Sequence, residues 1–71
     1  MSSIAKAAQT GYQIGQQNYR VSGDKKLREP RNDFICQALD RHGLIQSNGT
    51  ITAFRDGYKA GWMAEEKKGS R

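Results

Sequence analysis

Small and apolar residues recur every three or four positions in two stretches of this chain, and glycine sits on the repeating face of both. In the first stretch, Ile4, Ala7, Ala8, Gly11 and Gly15 share one side of a helix, with Tyr12 and Tyr19 beside them. Gln, Asn and Lys occupy most of the remaining positions, as a wet side requires. The spacing predicts a helix from about Ser3 to about Tyr19, opened by Ser2 or Ser3 as a cap. In the second stretch, Ile51, Phe54, Tyr58 and Trp62 form an aromatic stripe, and Ala53, Gly57, Gly61 and Ala64 form another next to it. That helix is expected from Thr50 or Thr52, either of which can cap it, to about Lys68. Lys67 and Lys68 suit the negative end of the helix dipole, and Gly69-Ser70-Arg71 is expected to fray.

A shorter helix is predicted between them. It starts at Asn32 or Asp33, both good caps, just after Pro30. Phe34, Ile35, Ala38, Leu39 and His42 give it an apolar-leaning stripe. Gly43 is a natural stop, after which Leu44 and Ile45 can pack back. Residues 20–31 are expected to be a linker, because Ser22-Gly23-Asp24 is turn chemistry and Pro30 pushes Glu29 out of helical geometry. Ser47-Asn48-Gly49 is expected to be a tight turn. A strand over residues 49–54 would have nothing obvious to pair with. The expected fold is all-α: one domain over residues 1–71, with three helices.

Glycine inside a helix costs about 1 kcal/mol relative to alanine, so Gly11, Gly15, Gly57 and Gly61 together cost about 4 kcal/mol. A domain this small has little stability to spare. The offset must come from something alanine cannot do, and close approach of two backbones is the usual candidate. The first and third helices are therefore expected to pack through these glycines, with the second helix capping them. The two sites echo each other, since Gly11-Tyr12-Gln13-Ile14-Gly15 has the form of Gly57-Tyr58-Lys59-Ala60-Gly61. The aromatic rings beside the seams admit two readings, as core or as binding surface. Tyr12, Tyr19, Tyr58 and Trp62 are the candidates for a partner interface.

These residues resemble the ribosome modulation factor family and its plasmid- and phage-borne relatives, small basic bacterial proteins with a glycine–tyrosine–x–x–glycine helix. Gly11-Tyr12 with Gly15 is similar to that helix, and Phe54, Gly57-Tyr58 and Ala64 are similar to the later aromatic, glycine–aromatic and alanine positions. The intervening segment is longer here and holds the whole second helix. The resemblance implies contact with ribosomal RNA and translational silencing.

Charge points to the same class of partner. The net charge of +5 attracts phosphate-rich partners or acidic protein surfaces. The linker is the most basic segment, with Arg20, Lys25, Lys26, Arg28 and Arg31 against Asp24 and Glu29. With Lys59, these are the candidate phosphate contacts. The leading expectation is a non-enzymatic cytosolic accessory protein that binds RNA or a ribonucleoprotein by charge and stacking. The alternative is a small phage-type inhibitor that docks an aromatic helix face on an acidic host protein.

No catalytic set stands out. Cys36 and His42 lie six apart on one helix and face different ways, and no phosphate loop or dinucleotide fingerprint occurs. One cysteine and one histidine cannot close a zinc site, and no cofactor is expected. A lone thiol fits a reducing cytosol. Met1 to Lys6 is not expected to be a secretory signal, and no segment approaches the roughly 20 apolar residues of a membrane span. A helix-turn-helix is disfavoured, because the connection from Gly43 to Gly49 is too long. So many aromatics on three short helices predict a homodimer, or full order only on a partner, with Tyr58 and Trp62 as the contact.

Overall fold

Helices form where the periodicity places them, with ends set by groups that satisfy free backbone N–H and C=O. The computed structural model describes residues 2–69, which comprise α1 (Ser3–Val21), α2 (Asn32–Arg41) and α3 (Asn48–Gly69). Among the described residues there is no strand. Ser2 caps α1 by accepting from the Ala5 N–H at 3.2 Å. The helix runs two residues past the expected end, and the Ser22 N–H closes it on the Asn18 and Tyr19 carbonyls. Lys25, with left-handed backbone at φ 57°, donates its ammonium to the last carbonyls at Tyr19 and Arg20. A cation there complements the helix dipole.

Neither Asn32 nor Asp33 caps α2. Arg31 holds the cap position without a side-chain hydrogen bond, and Asn32 is already helical. The Asn32 side-chain oxygen accepts from Arg55 of α3 instead. The other end follows expectation. Gly43 takes φ 67°, its N–H donates to Asp40, and the Leu44 N–H donates to Leu39 at 2.8 Å. This pair of bonds closes a helix through a left-handed glycine. Leu44 packs on the core, whereas Ile45 is exposed.

The start of α3 differs from expectation. Ser47 is the cap, and the presumed turn Ser47-Asn48-Gly49 is the cap and first turn of the helix. The Ser47 hydroxyl accepts from the Thr50 N–H at 3.2 Å, and the Thr50 hydroxyl accepts from the Ser47 N–H at 2.9 Å. This reciprocal pair satisfies two free donors at once, with threonine in the place where glutamate is usual. Gly69 is the last residue of α3, while Ser70 and Arg71 lie outside the described residues.

The glycine seams join α1 to α3. A Cβ on Gly11 would lie 2.9 Å from the Phe54 carbonyl carbon, and one on Gly15 would lie 3.0 Å from that of Tyr58. A Cβ on Gly57 or Gly61 would lie 2.9 Å from the carbonyl carbon of Ala8 or Tyr12. Partner numbers rise together along both helices, so α1 and α3 run parallel. The linker and α2 carry the chain back between them. Exchanging the helices maps Gly11–Phe54 onto Gly57–Ala8 and Gly15–Tyr58 onto Gly61–Tyr12, a local two-fold relation. Four backbone approaches of this kind offset the glycine cost, because Cα–H groups pressed on carbonyls contribute about 0.5–1 kcal/mol each.

Side-chain size breaks the symmetry and decides which face α2 covers. Phe54 and Trp62 on α3 stand where α1 has Ala8 and Gln16. The larger face gathers the core: Ala7, Ile35, Ala38, Leu39, Phe54, Tyr58 and Trp62. Phe54, Ile35 and Leu39 are fully buried, each worth about 2 kcal/mol. Tyr19 stands edge-on to Trp62 with centroids 5.2 Å apart. Glu65 is also buried and is held by Arg20 at 2.8 Å, which ties together the far ends of α1 and α3.

Candidate nucleic-acid interface

The linker leaves α1, crosses the aromatic face of α3 and meets a second set of cations. Lys59 binds Glu29 at 2.9 Å, and Arg55, one turn earlier on the same helix face, holds Asn32. Arg55 and Lys59 therefore hold the end of the linker and the start of α2, on either side of Arg31 in sequence. This joins a basic segment of the linker to basic positions on α3.

The six cations expected to meet phosphates have different roles. Arg20 is committed to buried Glu65, and Lys25 to the end of α1 with its ammonium 4.7 Å above the Tyr19 ring. Arg28 holds Asp24 at 3.0 Å, and Lys59 holds Glu29. Lys26 and Arg31 are exposed, and their side chains have no hydrogen bond or ion pair among the described residues. The pairs at Arg28 and Lys59 are solvated and weak, so a phosphate can replace either carboxylate at little cost. The Lys26 N–H, the Ser22 hydroxyl and then Arg28 hold the Asp24 carboxyl below its usual range. Glu29 is lowered by the Lys59 hydrogen bond and charge, and further by Arg55.

Two adjoining hollows line this face. One, of about 230 Å³, is edged by Ser22, Lys26 and Arg28 over Tyr58 and Trp62. The other, of about 340 Å³, lies between α1 and α2 and presents Phe34, Gln17, Gln37, Arg41 and His42. Asn18 lines both, so they lie on either side of one residue. Its side-chain amide donates to the Tyr58 hydroxyl at 3.0 Å. Phe34 keeps 39 % of its surface exposed although its ring edge packs on Phe54 and Tyr58. A half-exposed ring flanked by amides and a guanidinium supplies a stacking surface, base-edge hydrogen bonds and a phosphate contact.

The aromatic candidates are redistributed. Tyr58 is 7 % and Trp62 4 % exposed, so both are core and offer a partner little surface beyond what lines the hollow beside the linker. The reason is α2 and the linker, which cover the face of the helix pair that carries Phe54, Tyr58 and Trp62. The Trp62 indole N–H has no hydrogen-bond partner among the described residues. Tyr19 is half-buried against Trp62, while Tyr12, the counterpart of Tyr58, is 37 % exposed on the opposite face. Gly11, Gly15, Gly57 and Gly61 are all buried in the seam.

Phe34, expected only as part of the apolar stripe of α2, borders the site, as do Arg41 and Arg55, for which the sequence suggested no role. Arg55 had a signal, since it lies four residues before Lys59. Phe34 and Arg41 acquire their place only through the way α2 crosses α1. Among the described residues, no His, Cys, Asp or Glu group could hold a metal ion, and no helix is long and apolar enough to cross a membrane. Comparison with protein-family models, curated proteins and solved structures gave no match for this chain.

Proposed function

We propose that this chain is a non-enzymatic accessory protein that binds single-stranded RNA, free or within a ribonucleoprotein such as the ribosome. The observation that carries this reading is the pair of adjoining hollows that share Asn18, with Lys26 and Arg28 edging one and Phe34 and Arg41 edging the other. Cations at intervals with an accessible ring between them suit a backbone with splayed bases. The net charge of +5 supplies the long-range attraction. The resemblance of the glycine–tyrosine positions to the ribosome modulation factor family points the same way. Docking of the α3 aromatic stripe on a host protein finds less support, because Phe54, Tyr58 and Trp62 are turned into the chain's own core.

The test is a paired charge reversal. Lys26→Glu with Arg31→Glu removes two cations that have no internal role, so the circular dichroism spectrum is unchanged. Affinity for a single-stranded RNA oligomer, followed by fluorescence anisotropy, falls tenfold or more. Unchanged affinity in the folded double variant contradicts the proposal.

A further inference from the structure

We propose that α3 is also the two-fold contact between two copies of this chain, through the side that faces away from α2. The mainly apolar groove there is lined by Ala8, Tyr12, Ala53, Gly57 and Ala60, with Gln9 and Asp56 at its edge, and no residue of α2 lines it. It continues past Ala60 to Met63, Ala64 and Lys67, with Glu66 at its edge. This is the local two-fold counterpart of the face that α2 covers. The same glycine–tyrosine geometry therefore stands packed on one side and open on the other. Met63 is 58 % exposed and Tyr12 37 %.

The occupant follows from one stripe of α3. Asp56, Ala60, Met63 and Lys67 are spaced four, three and four apart and so share a helix face. An acid stands at one end, a base at the other, and a small and a large apolar residue stand between. Laid antiparallel on its own copy, this stripe is self-complementary. Asp56 meets the partner's Lys67 at both ends, and Ala60 receives the partner's Met63. Parallel pairing would instead set Asp56 against its own copy. A two-fold contact demands this self-matching, in which the same patch serves both subunits.

The size is adequate. Two helices side by side, each about 10 Å wide and about 30 Å long, present about 600 Å² to a second copy. That is somewhat below the roughly 800 Å² per partner of standard stable interfaces. The expected dimer is therefore modest, with a dissociation constant on the order of 10–100 µM.

Sedimentation equilibrium from about 1 µM to about 300 µM brackets that range. The wild-type chain passes from monomer to dimer within it. Asp56→Lys and Lys67→Asp each place like charges together and weaken the dimer tenfold or more; both positions are exposed, so the fold is kept, with at most slight fraying of the last turn of α3 in Lys67→Asp. The double variant Asp56→Lys with Lys67→Asp restores the pairing with its polarity inverted and recovers the dimer. A wild-type monomer at every concentration overturns the proposal and leaves the groove to a different protein. Single reversals without effect, or a double variant that fails to recover, overturn it equally.

Discussion

A single methyl group added at Gly57 sets two effects against each other. Helix propensity favours Gly57→Ala by about 1 kcal/mol, since alanine has less backbone entropy to lose. Packing opposes it. The new Cβ would stand 2.9 Å from the Ala8 carbonyl carbon and 3.1 Å from its Cα, against about 3.5–4 Å for comfortable carbon contacts. The obstacle is backbone, which cannot rotate away as a side chain can. The Ala8 carbonyl oxygen stands closer still to the new Cβ, so the two helices must part by about 1 Å or more, and a gap of that size forfeits about half of each contact's attraction. Overpacking of this kind costs about 2–3 kcal/mol, so the net effect is a loss of about 1–2 kcal/mol. For a domain of this size the midpoint falls by about 5–15 °C. Gly49 is the internal control. There the nearest obstacle is the tip of the exposed Ile4 side chain, 3.2 Å from the new Cβ, which can swing aside. Gly49→Ala is therefore expected to stabilise by up to about 1 kcal/mol. Thermal and urea unfolding followed by circular dichroism measures both. A Gly57→Ala variant at least as stable as the wild type, as propensity alone dictates, refutes the close-packed seam.

Two further outcomes follow from named contacts. Ser47→Ala removes the acceptor for the Thr50 N–H at the start of α3 and should cost about 1 kcal/mol in urea unfolding; no loss would mean that the reciprocal cap is inert. Glu29 has a folded pKa lowered from 4.5, chiefly by the Lys59 hydrogen bond, so its stabilising contribution is present above 4.5 and is lost as pH falls through the lower folded value. Carbon-detected NMR titration should show Glu29 returning toward 4.5 in Lys59→Met, and an unshifted titration would remove that ion pair from the account.

The seam was legible because four helical glycines demand compensation, and their three-and-four spacing placed them on facing sides. The stop at Gly43 was equally plain, since only a left-handed residue closes that pair of bonds. Direction was not legible. Nothing in two similar motifs says whether they run parallel, and the answer rests on backbone approaches between residues some forty apart. The fates of Tyr12 and Tyr58 illustrate the limit. Both sit second in a Gly-Tyr-x-x-Gly segment, yet one is open and the other buried. The difference comes from Phe54 and Trp62 against Ala8 and Gln16, a comparison that needs the two helices superposed. Ser47 was misplaced because Ser-Asn-Gly suits a turn and a helix start alike. At the candidate site, the linker cations were visible as a cluster. Their division into helix cap, core anchor and free charge depends on where Glu65, Glu29 and the end of α1 lie in space.

The central claim is that this chain meets RNA through phosphates as well as through stacked bases. The salt dependence of binding to a single-stranded RNA oligomer tests it most directly. Contacts from Lys26, Arg28, Arg31, Arg41 and Lys59 would release counterions from about four or five phosphates, giving a slope of log K against log salt of about −3 to −3.5. In Lys26→Glu with Arg31→Glu the slope should shrink by about 1.4. Binding whose affinity is flat across the salt range, or a slope the same in both proteins, would contradict the account.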